Sequence, residues 1–69
     1  MIRIELYNAT EDDYEILHKA MVAEGFSRIM IASDAVYTPT TKSTPAQVLD
    51  SVNRAAGKTG KNYVAIVSG

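Results

Sequence analysis

The sequence predicts a small α+β sandwich with its elements in the order βαββαβ. Three observations predict it. Residues 2–7 alternate apolar and polar side chains, the period of a strand with one buried face. Two stretches open with helix-start signatures, Thr10 with Asp13 and Thr44-Pro45 with Gln47, and each runs on to a glycine. Residues 63–67 are rich in β-branched side chains.

In the first strand Ile2, Ile4 and Leu6 take the core side, and Arg3, Glu5 and Tyr7 take the other. Asn8-Ala9 ends it. Thr10 then caps a helix whose first turn holds Glu11, Asp12 and Asp13, where the helix dipole favours negative charge. Tyr14, Leu17 and Met21 make its apolar stripe, bordered by Ala20 and Glu24. Gly25 stops it, since glycine takes the left-handed conformation without steric cost.

Residues 26–32 read as the second strand, with Ile29 and Ile31 inward. After a turn at residues 33–35, Val36-Tyr37-Thr38 returns as the third, and Pro39 ends it for want of an N–H. A polar loop leads to the Thr44 cap. The second helix buries a stripe of Val48, Leu49, Val52, Ala55 and Ala56 and ends at Gly57. Residues 58–62 connect it to the last strand, which is apolar on both faces. This is the split βαβ pattern of a ferredoxin-like fold. Right-handed crossovers place both helices on one face of an antiparallel sheet, with strand order 4-1-3-2.

The length of 69 residues fits a single domain over 1–69, with no linker or repeat. An apolar fraction of 46% suffices for a core. There is no cysteine, hence no disulfide and no thiolate ligand. No apolar run approaches the ~20 residues of a membrane span, and the N-terminus lacks a signal-peptide block. The expectation is a cytoplasmic protein with no membrane partner. A net charge of −1 excludes general attraction to nucleic acid. Acids concentrate in residues 1–33 and bases in residues 34–69, which permits a local basic patch.

Helices on one side leave the other side of the sheet open. If alternation holds, that side displays Arg3, Glu5, Tyr7, Arg28, Met30, Tyr37, Tyr63, Ala65 and Val67. A half-apolar open face meets a partner, and the expected one is a second copy, through Tyr7, Met30, Tyr63 and Val67. RNA stacking on Tyr7 and Tyr63 is the alternative, with Arg3, Arg28, Lys58 and Lys61 as its cationic contacts.

Few residues announce chemistry, and no catalytic residue is assigned. His18, the only histidine, has the side chain suited to acid–base work near neutrality. It lies off the main stripe and reads as a half-exposed helix residue. Asp12 and Asp13 are adjacent, so they diverge on a helix and suit the dipole better than a metal; no metal site or cofactor is expected. The Gly57-Lys58-Thr59-Gly60-Lys61 segment has the wrong spacing for a phosphate loop and follows a helix instead of opening one. Ser43 and Thr44 have no neighbouring base to activate them.

Ile4-Glu5-Leu6, Ala9-Thr10, Asp13-Tyr14, Leu17-His18, Ala20-Met21 and Gly25-Phe26-Ser27-Arg28 together resemble the GhoS-like antitoxins of type V toxin–antitoxin systems. Gln47-Val48-Leu49, Ala55-Ala56, Lys58-Thr59-Gly60-Lys61 and the final apolar strand are similar too. The resemblance implies a ferredoxin-like fold related to the small CRISPR-associated nucleases, and an RNA-binding regulator that binds a toxin messenger RNA or cuts it as an endoribonuclease. It carries Arg28 over as an RNA contact. Those nucleases hold an aspartate at the end of the first strand, where this chain has Asn8, and an amide is a weaker metal ligand than a carboxylate. The competing expectation is a non-catalytic phage or prophage module that binds and inhibits a host or defence protein.

Overall fold

The computed structural model describes residues 1–29, 35–40 and 42–67. Its elements follow the predicted order: β1 (Ile2–Leu6), α1 (Glu11–Ala23), β2 (Phe26–Ile29), β3 (Ala35–Pro39), α2 (Pro45–Gly57) and β4 (Tyr63–Val67). All pairings are antiparallel and the sheet order is β2-β3-β1-β4, so β1 and β3 are central. This is the ferredoxin-like arrangement. Among the described residues no helix is long and apolar enough to cross a membrane.

Local chemistry sets the helix ends. Thr10 is extended, its hydroxyl accepts from the Asp13 amide, and the Asp13 carboxylate accepts from the Thr10 amide at 2.9 Å. Thr44 and Gln47 repeat this reciprocal bonding, with Pro45 in the first turn of α2. Each box satisfies two backbone donors that a helix start leaves without partners. Gly25 follows α1 at φ +94°. Gly57 is the last residue of α2, and the left-handed residue there is Gly60, at φ +71°. Asn8 turns the chain out of β1 at φ +53°, a conformation asparagine tolerates better than most side chains.

The core lies between the helices and one sheet face. Ile2, Ile4 and Leu6 of β1 meet Leu17, Ala20 and Met21 of α1 and Val48, Val52, Ala55 and Ala56 of α2. Leu49 stays exposed at the edge of the α2 stripe.

Register corrects the expected faces of three strands. Cross-strand partners project from the same side of a sheet. Ile2 pairs with Tyr37 and Val67, Ile4 with Ala35 and Ala65, and Leu6 with Tyr63. Tyr37, Tyr63, Ala65 and Val67 therefore stand on the helix side, not the open side. Tyr37 is wholly buried in the core, and Tyr63 and Ala65 pack against it. Val67 lines a notch of about 160 Å³ with Pro45 and Val48 at the start of α2. Arg28 pairs with Tyr37 and shares its side, whereas Ile29 pairs with Val36 on the open side. Met30, and Ile31 with it, lie outside the described residues.

Candidate functional site

The helix side of the sheet, under α1, gathers the residues with most chemical capacity. Tyr14 and His18 are four apart on α1 and so share a helix face; their ring centroids are 6.4 Å apart. His18 stands 5.8 Å from the Tyr37 ring, and its Nδ1 is hydrogen-bonded to the Tyr37 hydroxyl. The Tyr14 hydroxyl accepts from the Leu6 amide at 3.1 Å. Among the described residues Leu6 lies beyond the last β1–β3 partners, Ile4 and Ala35, and Tyr14 ties α1 to this end of β1.

The electrostatics keep both partners of the His18–Tyr37 bond neutral near pH 7. Burial, above all, pushes the Tyr37 hydroxyl up to about 12; nearby Arg28 pulls the other way and Tyr14 adds to the rise. The hydroxyl thus keeps its proton at neutral pH. Burial, and then Arg28, holds His18 below the usual histidine value, against an opposing effect of Glu15. Neutral imidazole has one lone pair to offer. With the buried hydroxyl as donor to Nδ1, the ring proton sits on Nε2. The exposed Arg28 lies near enough for its charge to act on the His18 ring. A donor and a cation suit a phosphate oxygen. A general base would need a free ring lone pair.

The sequence-predicted contacts do not form one surface. Arg3 lies on the open face, across from Val36 and Ile66. Tyr7 follows β1, exposed, its amide donating to the Asn62 carbonyl at 2.8 Å. Tyr63 is on the helix side, its hydroxyl donating to Asn53 Oδ1 at 2.5 Å, so Tyr7 and Tyr63 make no common stacking platform. Lys58 caps α2 and lines a groove with Ile16, Lys19 and Ala23. Lys61 lies 3.9 Å from the Asp13 carboxylate. In the connection between them, the buried Thr59 hydroxyl donates to the Ala56 carbonyl at 2.6 Å and accepts from the Lys61 amide, which holds this turn together.

Sequence reasoning missed the His18–Tyr37 pair. The available signal was the spacing of Tyr14 and His18 on α1, which puts a second aromatic stripe beside Leu17 and Met21. Among the described residues, no group of three or more His, Asp or Glu side chains is placed to hold a metal ion. In comparisons with known proteins, no family model, curated protein or solved structure matches this chain.

Proposed function

We propose that this chain is a GhoS-like RNA-binding regulator that acts in the cytoplasm on a toxin messenger RNA. The observation that supports the reading is Arg28 close enough to act on His18, whose Nδ1 is engaged by the Tyr37 hydroxyl. Such a pair offers a phosphodiester one charge and one hydrogen bond, and phosphate contacts dominate RNA affinity. The engagement of Nδ1 with Tyr37 argues for binding over cutting, because it withholds that ring nitrogen as the base that would activate a ribose hydroxyl. The ferredoxin-like fold agrees with the family resemblance, and Arg28 is the contact that the resemblance carries over.

A labelled RNA pool titrated at two salt concentrations, with magnesium and with EDTA, tests this. The expected result is binding that weakens with salt and leaves the RNA intact. Arg28→Ala should lower the salt slope by about one released counterion. Failure to bind any RNA at low salt would overturn the proposal in favour of the module that inhibits a host or defence protein. Cleavage would overturn the binding-only mechanism.

A further inference from the structure

Helix α1 carries a second apolar strip beside its buried one. Ile16, Ala20 and Ala23 recur at helical spacing and so share one flank of the helix. Ile16 is 44% exposed, and Ala23 is exposed as well. With Lys19, and with Lys58 at the C-cap of α2, these three residues line an open groove of about 290 Å³. Both lysines are exposed. Among the described residues neither ammonium is paired with an acid. The charge of Lys58 reaches Glu24, but Arg54 already holds that carboxylate through N–H groups at 2.8 and 3.4 Å. Glu15, four residues before Lys19 on α1, makes no ion pair with it among the described residues.

We propose that this groove binds an acidic segment of a partner protein, which lays an apolar side chain against Ile16 and Ala23 and sets carboxylates against Lys19 and Lys58. Charge complementarity chooses the occupant. An apolar surface flanked by two cations matches an apolar side chain flanked by anions. Size points the same way. Sites that enclose a small molecule run to roughly 300–1,000 Å³. This groove is open and falls at the bottom of that range, so it takes an anchoring side chain and leaves the rest of its ligand outside, as a docked peptide does. Among the described residues, none that lines the groove is aromatic, so a nucleobase has nothing there to stack on. Exposed charges contribute little affinity and mainly orient the segment, while apolar contact, to which the lysine stems add, holds it. His18 and Arg28 do not line the groove, so this binding and the RNA reading stand or fall separately.

A short fluorescein-labelled peptide repeating the triplet Asp-Leu-Glu is the probe. Fluorescence anisotropy with the full chain at low salt should show saturable binding, and amide NMR shifts should change at Ile16, Lys19 and Ala23. Lys19→Glu and Lys58→Glu should each weaken binding by about tenfold, since each replaces an attraction with a repulsion. Ile16→Ala should weaken it by about threefold at unchanged charge, through lost apolar contact. The same peptide with lysine for its acids, or glycine for its leucines, should not bind. Circular dichroism should show all three variants folded, because the three positions are exposed. Absence of saturable binding, shifts confined to other parts of the chain, or variants that bind as tightly as the native chain would each overturn the proposal. Displacement of the peptide by an oligouridylate would overturn it in favour of a nucleic-acid contact, and displacement by dodecanoate in favour of a lipid-chain site.

Discussion

The bond between His18 and Tyr37 can be weighed by a double-mutant cycle. His18→Leu leaves the Tyr37 hydroxyl buried without its acceptor, in a side chain with no solvent exposure. An unmade hydrogen bond of that kind costs about 1–3 kcal/mol. Tyr37→Phe removes the hydroxyl instead. The half-buried imidazole can then turn to water, so the loss is about 1 kcal/mol. The double variant removes both partners, and an apolar pair of similar shape is nearly neutral. The two single losses should therefore exceed the double loss by about 2–4 kcal/mol. For a domain of this size each 1 kcal/mol moves Tm by about 4–8 °C. Urea unfolding of all four proteins, at a pH where histidine is neutral, reads the cycle directly if m is constant across the set. Losses that add to within ~0.5 kcal/mol would refute the coupling, and with it the assignment of the ring proton to Nε2.

Two further predictions rest on the same structure. His18 is held below its ordinary value of 6.5 by burial and by Arg28, so the unfolded chain takes up its proton first. The stability His18 contributes should be complete above pH 6.5 and lost as the pH falls through the lower folded value; the loss should vanish in His18→Leu, and unfolding midpoints that show no such difference would refute it. The two glycines that end the helices should respond oppositely to alanine. Gly25, at φ +94°, should cost about 1 kcal/mol through backbone strain alone, since an added Cβ would meet nothing nearer than the Thr40 hydroxyl at 3.9 Å. Gly57, inside α2 with open space around it, should gain up to about 1 kcal/mol. Equal shifts in the urea midpoint would refute the distinction.

Elements were legible where the signal is local. A capping box joins a side chain to a backbone amide three residues away, so Thr10 with Asp13 and Thr44 with Gln47 could be read directly. The phase of β1 was legible because Arg3 and Glu5 separate its apolar residues. β4 offers no such contrast: Tyr63, Val64, Ala65, Ile66 and Val67 are apolar throughout, and either face could be the buried one. β3 sets Ala35 and Tyr37 against Val36 and Thr38, an alternation that does not choose a side. A one-residue change of register moves every side chain to the opposite face, and only pairing with β1 decides which. The candidate site shared that uncertainty. His18 gains its partner only when Tyr37 points toward the helices, so misreading the phase of β3 hid the pair.

The central place of β1 also shapes the route to the folded state. Its ladder to β4 closes a loop about twice as long as its ladder to β3, yet the difference in closure entropy is only about 0.6 kcal/mol. The thermodynamic burden is small, but distant pairings form slowly. An intermediate with β3 docked and β4 still loose would leave one side of β1 bare, its amides and carbonyls open to any strand that arrives. Val64 and Ile66, exposed even in the folded chain, would lie on that loose segment. The domain is thus most vulnerable to aggregation before its last strand closes the sheet.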